Sequence, residues 1–339
     1  MTSVTPVTSV TPVTSVTRAA PVRIGVLGCA GIARRRMLPA MVAAPAVELV
    51  AVASRDAARA RETAAAFGCA PVHGYAELLE RADVDAVYVP LPASLHAEWA
   101  EAALRAGKHV LAEKPLALEP EATRRLLELA RSRGLVLMEN VMFVHHPQHD
   151  AVRKVVAAGV IGELRSFQAT FTVPALPDDD IRYRAELGGG ALWDTGVYPV
   201  RAALHLLGAE LEVVGATLSA APGRSVDTAG AVLLRTPGGV SVQLSFGLDH
   251  GYRSSYELCG SAGHIHVDRA FTPPADHVPM FRLERGTDVE HIRSEPADQV
   301  AMTVSAFAAA VRNGAAGDQG DSLRQAVLLD EIRASASGG

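Results

Sequence analysis

From Val22 to Asn140 the chain alternates short, continuously apolar runs with longer stretches of helical pattern. The runs are Arg23–Gly28 (RIGVLG), Val47–Ser54 (VELVAVAS), Val84–Leu91 (VDAVYVPL), His109–Pro115 (HVLAEKP) and Gly134–Asn140 (GLVLMEN). A strand that is apolar at every position is buried on both faces, and strands separated by helices of about ten residues or more do not pair as hairpins. The alternation therefore predicts a parallel sheet, covered by helices on both sides, over residues 22–140.

The first run ends in Gly28-Cys29-Ala30-Gly31-Ile32-Ala33, and a helix opening with Arg34, Arg35 and Arg36 follows. In a doubly wound Rossmann sheet such a turn leaves backbone N–H groups and a helix N-terminus free to hold a pyrophosphate. The pattern departs from G-x-G-x-x-G/A at its second glycine, where Ala30 stands with Gly31 beside it. A glycine pattern alone is weak, but here a strand precedes it and a helix follows, the context a dinucleotide site requires. The second run ends in Ser54-Arg55, with no carboxylate before Asp56. An acidic residue at that place binds the ribose 2′-hydroxyl of NAD, whereas a hydroxyl and a guanidinium suit the 2′-phosphate of NADP. The expected cofactor is NADPH.

After Asn140 the character changes. A helix near Gln148–Ala158 is followed by strand-like runs at Glu163–Val173, Leu211–Ala220, Ala231–Leu248, Tyr256–Asp268 and Phe281–Gly286, with a Pro-Gly-Gly turn at 237–239. Short glycine turns between successive strands mean antiparallel pairing. One helix near Ala191–Leu207 interrupts the series, and a helical pattern at Ser322–Ala334 ends it. The expected fold class is α/β: the Rossmann sheet, then an α+β domain over 141–335 with a large, mainly antiparallel, open-faced sheet. The open face is expected to be apolar enough to form a homodimer or homotetramer, since such a surface is rarely left to water. Residues 1–21 stand apart. Thr2–Val7 reads TSVTPV, Thr8–Val13 repeats it and Thr14–Ala19 is a decayed third copy. That segment has too little apolar content to bury a core and is expected to be a disordered arm.

Charge and cysteine usage narrow the partners. A formal net charge of −5 argues against nucleic acid, and no run approaches the length of about 20 apolar residues that a membrane span needs. Cys29, Cys69 and Cys259 are odd in number and form no Cys-x-x-Cys pair, which excludes a disulfide framework and a zinc ribbon. The start of the chain lacks the basic residues and apolar core of a secretory signal. A cytoplasmic location is expected. No metal site is expected either: of His145, His146 and His149 only two could share a helical face, and a fourth ligand is missing.

Two further segments carry chemistry. Ala112-Glu113-Lys114-Pro115 closes a strand of the parallel sheet, at the carboxyl end where such sheets place ligands. Gly188–Val200 (GGGALWDTGVYPV) opens the long helix of the second domain. Taken singly, Lys114 could be a solvated lysine and Tyr198 a core aromatic at helical spacing from Asp194. Taken together with the glycine turn at 28–33 and LPASLH at 91–96, they change the reading. The chain resembles the glucose–fructose oxidoreductase / inositol dehydrogenase (Gfo/Idh/MocA) family from about Val22 to the C-terminal helix, and four motifs in order over that length are specific.

The resemblance implies roles. Lys114 would contact the substrate oxygen and the nicotinamide ribose, Glu113 would join it at the cofactor, and Leu91, Pro92 and His96 would line the cofactor cleft. Asp194 and the residue at 198 would face the nicotinamide across the domain interface, and Asp194 with Arg182 would bind the substrate. Many members have histidine where this chain has Tyr198, which points to the branches with a tyrosine acid. Met138–His149 and Ile181–Gly190 look most like the sugar 3-ketoreductases, which implies reduction of the C3 ketone of a TDP-linked 3,4-diketo-2,6-dideoxyhexose. A dihydrodiol-dehydrogenase-like or glucose-oxidising enzyme, or a non-catalytic NADP sensor, remains open. Hydride delivery to a ketone builds negative charge on oxygen, which needs a proton and a nearby cation. Tyr198 would give the proton, with the Lys114 ammonium expected to lower its pKa.

Overall fold

The computed structural model describes residues 20–314 and 319–337, so the expectation of an N-terminal arm falls almost wholly outside the described residues. Six strands form the first sheet: β1 (Val22–Leu27), β2 (Val47–Ser54), β3 (Ala70–His73), β4 (Ala86–Val89), β5 (His109–Glu113) and β6 (Leu137–Asn140). Their order is β3-β2-β1-β4-β5-β6 and every pair is parallel. The chain winds outward one way from β1, returns and winds the other way. This puts a crevice at the carboxyl ends of β1 and β4, where such sheets bind dinucleotides. Helices α1 (Leu38–Ala43), α2 (Ala57–Phe67), α3 (Tyr75–Leu79), α4 (Ala93–Arg105) and α5 (Pro120–Ser132) cover the two faces. β4 is buried along its whole length, as its unbroken apolar run requires.

The second sheet has eight strands: β7 (Leu164–Thr172), β8 (Glu212–Ser219), β9 (Ala229–Arg235), β10 (Ser241–Gly247), β11 (Arg253–Gly260), β12 (His264–Asp268), β13 (Met280–Arg285) and β14 (Asp288–Arg293). They run in the order β14-β13-β12-β11-β7-β10-β9-β8, antiparallel except for β7 beside β10. Helices α6 (Pro147–Ala157) and α7 (Val197–Leu207) lie on one side. Inward residues such as Phe167, Phe171, Val242, Leu244 and Phe246 are buried among them.

The outward face differs from expectation. One cross-strand row reads Leu233, Gln243, Gln168, Glu257, His266 and Arg282. The strands are apolar mainly at their inner positions, because a half-exposed antiparallel sheet alternates. The outer face is polar, with single exposed side chains such as Val214 and Met280. Its apolarity therefore gives no ground for a partner.

The division into two consecutive domains also needs revision. Helix α8 (Gln299–Asn313) follows the second sheet in sequence, yet Val300, Val304, Phe307 and Ala308 are buried with Ile24, Met37 and Met41 of the first domain. Helix α9 (Gln319–Ser337) then sends Leu328, Leu329 and Ile332 into the core of the second domain, while Leu323 packs on that of the first. The boundary near residue 140 separates two cores but not two independent lengths of chain.

Helix α6 carries a buried group with consequences for acid stability. His149 is fully buried, its Nδ1 is 3.0 Å from the Tyr256 hydroxyl, and its ring lies edge-on to His205. Burial, reinforced by His205 and His146, holds His149 well below the ordinary imidazole range. Burial also lowers His145, His146 and His205. These rings stay neutral in the fold but charge in the unfolded chain below about pH 6.5, so the unfolded state gains protons first. Stability is therefore complete above that pH and declines as pH falls toward the folded values. Thermal unfolding measured from about pH 8 to about pH 5.5 is expected to show Tm falling in the lower half of the range, with a gentler slope for His149→Gln. A flat Tm would contradict this account.

Candidate active site

β1 ends at Leu27, and Gly28 takes φ +117°, a backbone that side-chain-bearing residues rarely adopt. A Cβ there would lie 2.9 Å from Leu91 Cδ2, so the glycine also lets the loops after β1 and β4 close on each other. Cys29 is buried, Ala30 and Gly31 follow, and Ile32 leads into a π-helical turn at Ala33–Met37 that continues into α1. That first turn contains no acidic residue, so nothing repels an anion at the helix start. The cradle fits a pyrophosphate by its backbone and by the contact that the glycine permits.

At the end of β2, Ser54 is buried and its Oγ accepts from the Asp56 backbone N–H at 3.1 Å. The Asp56 carboxylate caps α2, accepting from Ala58 N at 2.8 Å and Arg59 N at 3.2 Å. The one nearby acid is thus committed to the helix, while Arg55 stays exposed. Sequence reading passed over Arg59, whose Nη2 donates to the Cys29 carbonyl at 3.2 Å and brings a second guanidinium to the glycine turn. Its place in the first turn of α2, directly after the Asp56 cap, was the available signal.

The loops after β4 and β5 are tied together by His96. Its Nδ1 lies 2.7 Å from the Pro115 carbonyl and its Nε2 lies 2.7 Å from the Leu91 carbonyl. Leu91 and Pro92 are half-buried at the head of α4, whereas His96 is buried, with both ring nitrogens occupied by backbone. Burial lowers its pKa against the pull of the two carbonyls. Glu113 is also turned inward: its Oε1 accepts from the Tyr88 hydroxyl and from Asn140 Nδ2, both at 2.6 Å.

Lys114 points the other way, across the junction between the cores. Its Nζ donates to Asp194 Oδ1 at 2.9 Å and to the Asp194 carbonyl at 2.8 Å. Arg182 Nε donates to the other carboxylate oxygen at 2.7 Å, so Asp194 lies between two cations. The segment that positions Asp194 depends on its glycines. Gly190 has φ +121°, and a Cβ on it would come within 2.4 Å of Asp227 Oδ1, whose partner oxygen accepts from Leu192 N at 2.7 Å. A second π-helical turn, Leu192–Gly196, then leads into α7, where Pro199 has no N–H to offer the preceding turn. Lys114 supplies a donor to one carbonyl of that turn.

Tyr198 sits one residue into α7 and is only partly buried, its ring packed against Phe171, Phe271 and Phe143 at centroid distances of 4.6, 5.9 and 6.2 Å. The Lys114 ammonium lies 5.2 Å from the same ring's centroid, within cation–π range. The Tyr198 ring thus belongs to an aromatic cluster on one side and faces the lysine on the other.

The electrostatics correct one expectation. Burial raises the Tyr198 phenol above its ordinary value, and the lowering effect of Lys114 does not overcome it. Burial also opposes the Lys114 ammonium, but Asp194 and Tyr198 outweigh burial and the net shift is upward. For Asp194, burial would raise the pKa, and Lys114 with Arg182 reverses it to a net lowering. Asp194 also leads the causes that raise Arg182. The site therefore holds an ionised lysine, an ionised aspartate and a protonated tyrosine at neutral pH. Among the described residues no group of three His, Cys, Asp or Glu side chains could hold a metal ion, and no helix is long and apolar enough to cross a membrane.

Comparison with known proteins places this geometry. An oxidoreductase family with an NAD-binding Rossmann fold matches residues 22–141, and the Gfo/Idh/MocA C-terminal domain matches residues 149–266. A dTDP-3,4-didehydro-2,6-dideoxy-α-D-glucose 3-reductase of Streptomyces violaceoruber is 55% identical over 326 residues, covering 93% of this chain and 95% of that protein. The crystal structure of a 3-ketoreductase from Actinomadura kijaniata with NADP and TDP-benzene is 53% identical, with a TM-score of 0.91 over 93% of this chain and 98% of that one. That enzyme has also been solved with a tyrosine replaced by phenylalanine and with a lysine replaced by alanine. A D-xylose 1-dehydrogenase (NADP⁺) of Haloferax volcanii is 34% identical over 93% of this chain and 97% of its own length.

Proposed function

The chain belongs to the Gfo/Idh/MocA oxidoreductase family, and from that premise we propose that it reduces the C3 ketone of a TDP-linked 3,4-diketo-2,6-dideoxyhexose with NADPH. The observation that carries the reading is the Lys114–Asp194–Arg182 group set beside Tyr198, at the carboxyl end of β5 in the dinucleotide-type sheet. NADPH, when bound, supplies the hydride that adds to the ketone carbon. The chain's own residues do the rest. Lys114 places a cation where the ketone oxygen gains charge, and the Tyr198 hydroxyl gives that oxygen its proton. The phenol, its pKa raised by desolvation, stays protonated until a proton is demanded of it. Asp194, itself fixed by Arg182, holds the ammonium in position, and the two side chains are the ones that would meet the sugar.

The test is NADPH oxidation with the TDP-linked diketo sugar generated in situ, and a product heavier by H2. Turnover of trans-dihydrodiols or glucose in preference to that sugar would move the assignment within the family. Tight NADP binding without turnover on any of them would make the chain a sensor. Cofactor choice is tested separately. Arg55→Ala is expected to weaken NADPH by about 1.5–3 kcal/mol, the range of a charge-assisted hydrogen bond, and to leave NADH nearly unchanged. Equal loss for both cofactors contradicts the role of Arg55. The same reading expects a cytoplasmic enzyme, in keeping with free Cys29, Cys69 and Cys259, and a homodimer or homotetramer whose contact through the second sheet would be made by its polar outer face. Sedimentation analysis decides the oligomer.

A further inference from the structure

Below the reactive group lies a second polar cluster that the reaction does not use. Glu139 lies in β6 and Arg201 in α7, with side chains 1% and 3% exposed, and Arg201 Nη2 donates to Glu139 Oε2 at 2.5 Å. The other carboxylate oxygen, Oε1, accepts from the Leu116 backbone N–H at 3.0 Å and from Gln325 Nε2 at 2.7 Å. Arg201 Nε donates to Gln325 Oε1 at 2.8 Å, and Arg201 Nη2 donates to Ser322 Oγ at 3.2 Å. One carboxylate therefore joins four segments: β6, the loop after β5, α7 and α9.

We infer that Glu139 and Arg201 form a positioning clamp that sets the Lys114 loop against the Tyr198 helix. Leu116, held by Glu139, is two residues beyond Lys114, and Arg201 is one helical turn beyond Tyr198 on the same face of α7. The two ends of the ion pair thus attach directly beside the two reactive side chains. Stability is a poor reason for such a pair. Desolvating both charges offsets most of their attraction, and apolar residues of like volume commonly serve as well. What apolar packing does not supply is a fixed register between a loop and a helix from different cores. Charge-assisted bonds of set length and direction supply it. Gln325 bonds both members of the pair, so α9 braces the junction from outside. Glu139 and Arg201 touch neither substrate nor cofactor in this account and act through Lys114 and Tyr198. The inference rests on the roles given to those two residues above.

The experiment removes both charges together, because deleting one leaves its partner buried and unpaired. In Glu139→Gln/Arg201→Met, the expected result is a folded enzyme whose kcat falls by about ten- to a hundredfold, the cost of a displacement on the order of 1 Å. KM for the sugar and Kd for NADPH should stay within about threefold of wild type, since the clamp contacts neither. A crystal structure of the variant should show the Lys114 Nζ to Tyr198 ring distance lengthened from 5.2 Å. Wild-type kcat in the folded variant overturns the clamp, and so does a proportional decline of kcat, sugar binding and NADPH binding. If the double variant does not fold, Gln325→Leu removes the brace without stranding a charge. The same split between kcat and KM, smaller in size, is then expected, and unchanged kcat overturns the inference. Should the wild-type protein fail to reduce the diketo sugar, the proposed activity fails, and the crystallographic distance still decides the clamp.

Discussion

Tyr198→Phe is expected to lower kcat by about 10²–10⁴-fold, the range of general acid catalysis, while KM for the sugar changes little. The substitution removes one oxygen and keeps the ring, so the packing against Phe171, Phe271 and Phe143 survives. Binding depends on surfaces the mutation does not touch, whereas the proton is needed only as charge develops on the ketone oxygen. Because burial raises the phenol's pKa, a wild-type kcat that rises with alkalinity through neutral pH would be inconsistent with a protonated tyrosine as donor. Full turnover by Tyr198→Phe with normal substrate binding would remove Tyr198 from the mechanism. Lys114 itself would then become the first candidate acid.

Lys114→Ala is expected to cost about 10²–10³-fold in kcat, the magnitude found when one donor to a developing oxyanion is deleted. It differs from the tyrosine variant in a measurable way. Asp194 loses one of its two cations and keeps Arg182, so its carboxylate is expected to shift and sugar binding to weaken as well. The double variant should lose less than the product of the single losses, because the lysine and the tyrosine serve the same oxygen. Strict multiplication of the two effects would mean that the groups act independently, contrary to their 5.2 Å approach.

The features that place the site were legible because each is a local constraint on backbone. Gly28 and Gly190 occupy conformations that the sequence marks with glycine, and the strand before Lys114 announces itself by its apolar run. What escaped reading depends on partners remote in sequence. Helix α8 carries its own signals, an Asp298 cap and apolar residues at 300, 304, 307 and 308, but nothing local says that they enter the first core. β3 contains Pro71 and lies at a sheet edge, where proline is tolerated and a strand signal is faint. β14 reads DVEHIR, an edge strand whose charges hide it from an apolar search. Glu139, Arg201 and Gln325 look like unremarkable polar residues until 62 and 186 positions of separation are folded away. The Tyr198 shift went astray for the same reason: a neighbouring ammonium can be guessed from motifs, but the burial that outweighs it belongs to tertiary structure.

The return of α8 to the first core has a mechanical consequence. The backbone passes between the cores after Asn140, again before Gln299, and a third time between α8 and α9, so three covalent straps join the halves instead of one. Bodies joined by a single strap can swivel in any direction. Each further strap removes directions of relative rotation, so three leave a narrower range of motion than a single linker would. An opening that admits a dinucleotide or releases a sugar is then held to few directions, and closure brings Lys114 back to the same carboxylate. Accuracy of return is thereby built into connectivity, before any side chain takes part.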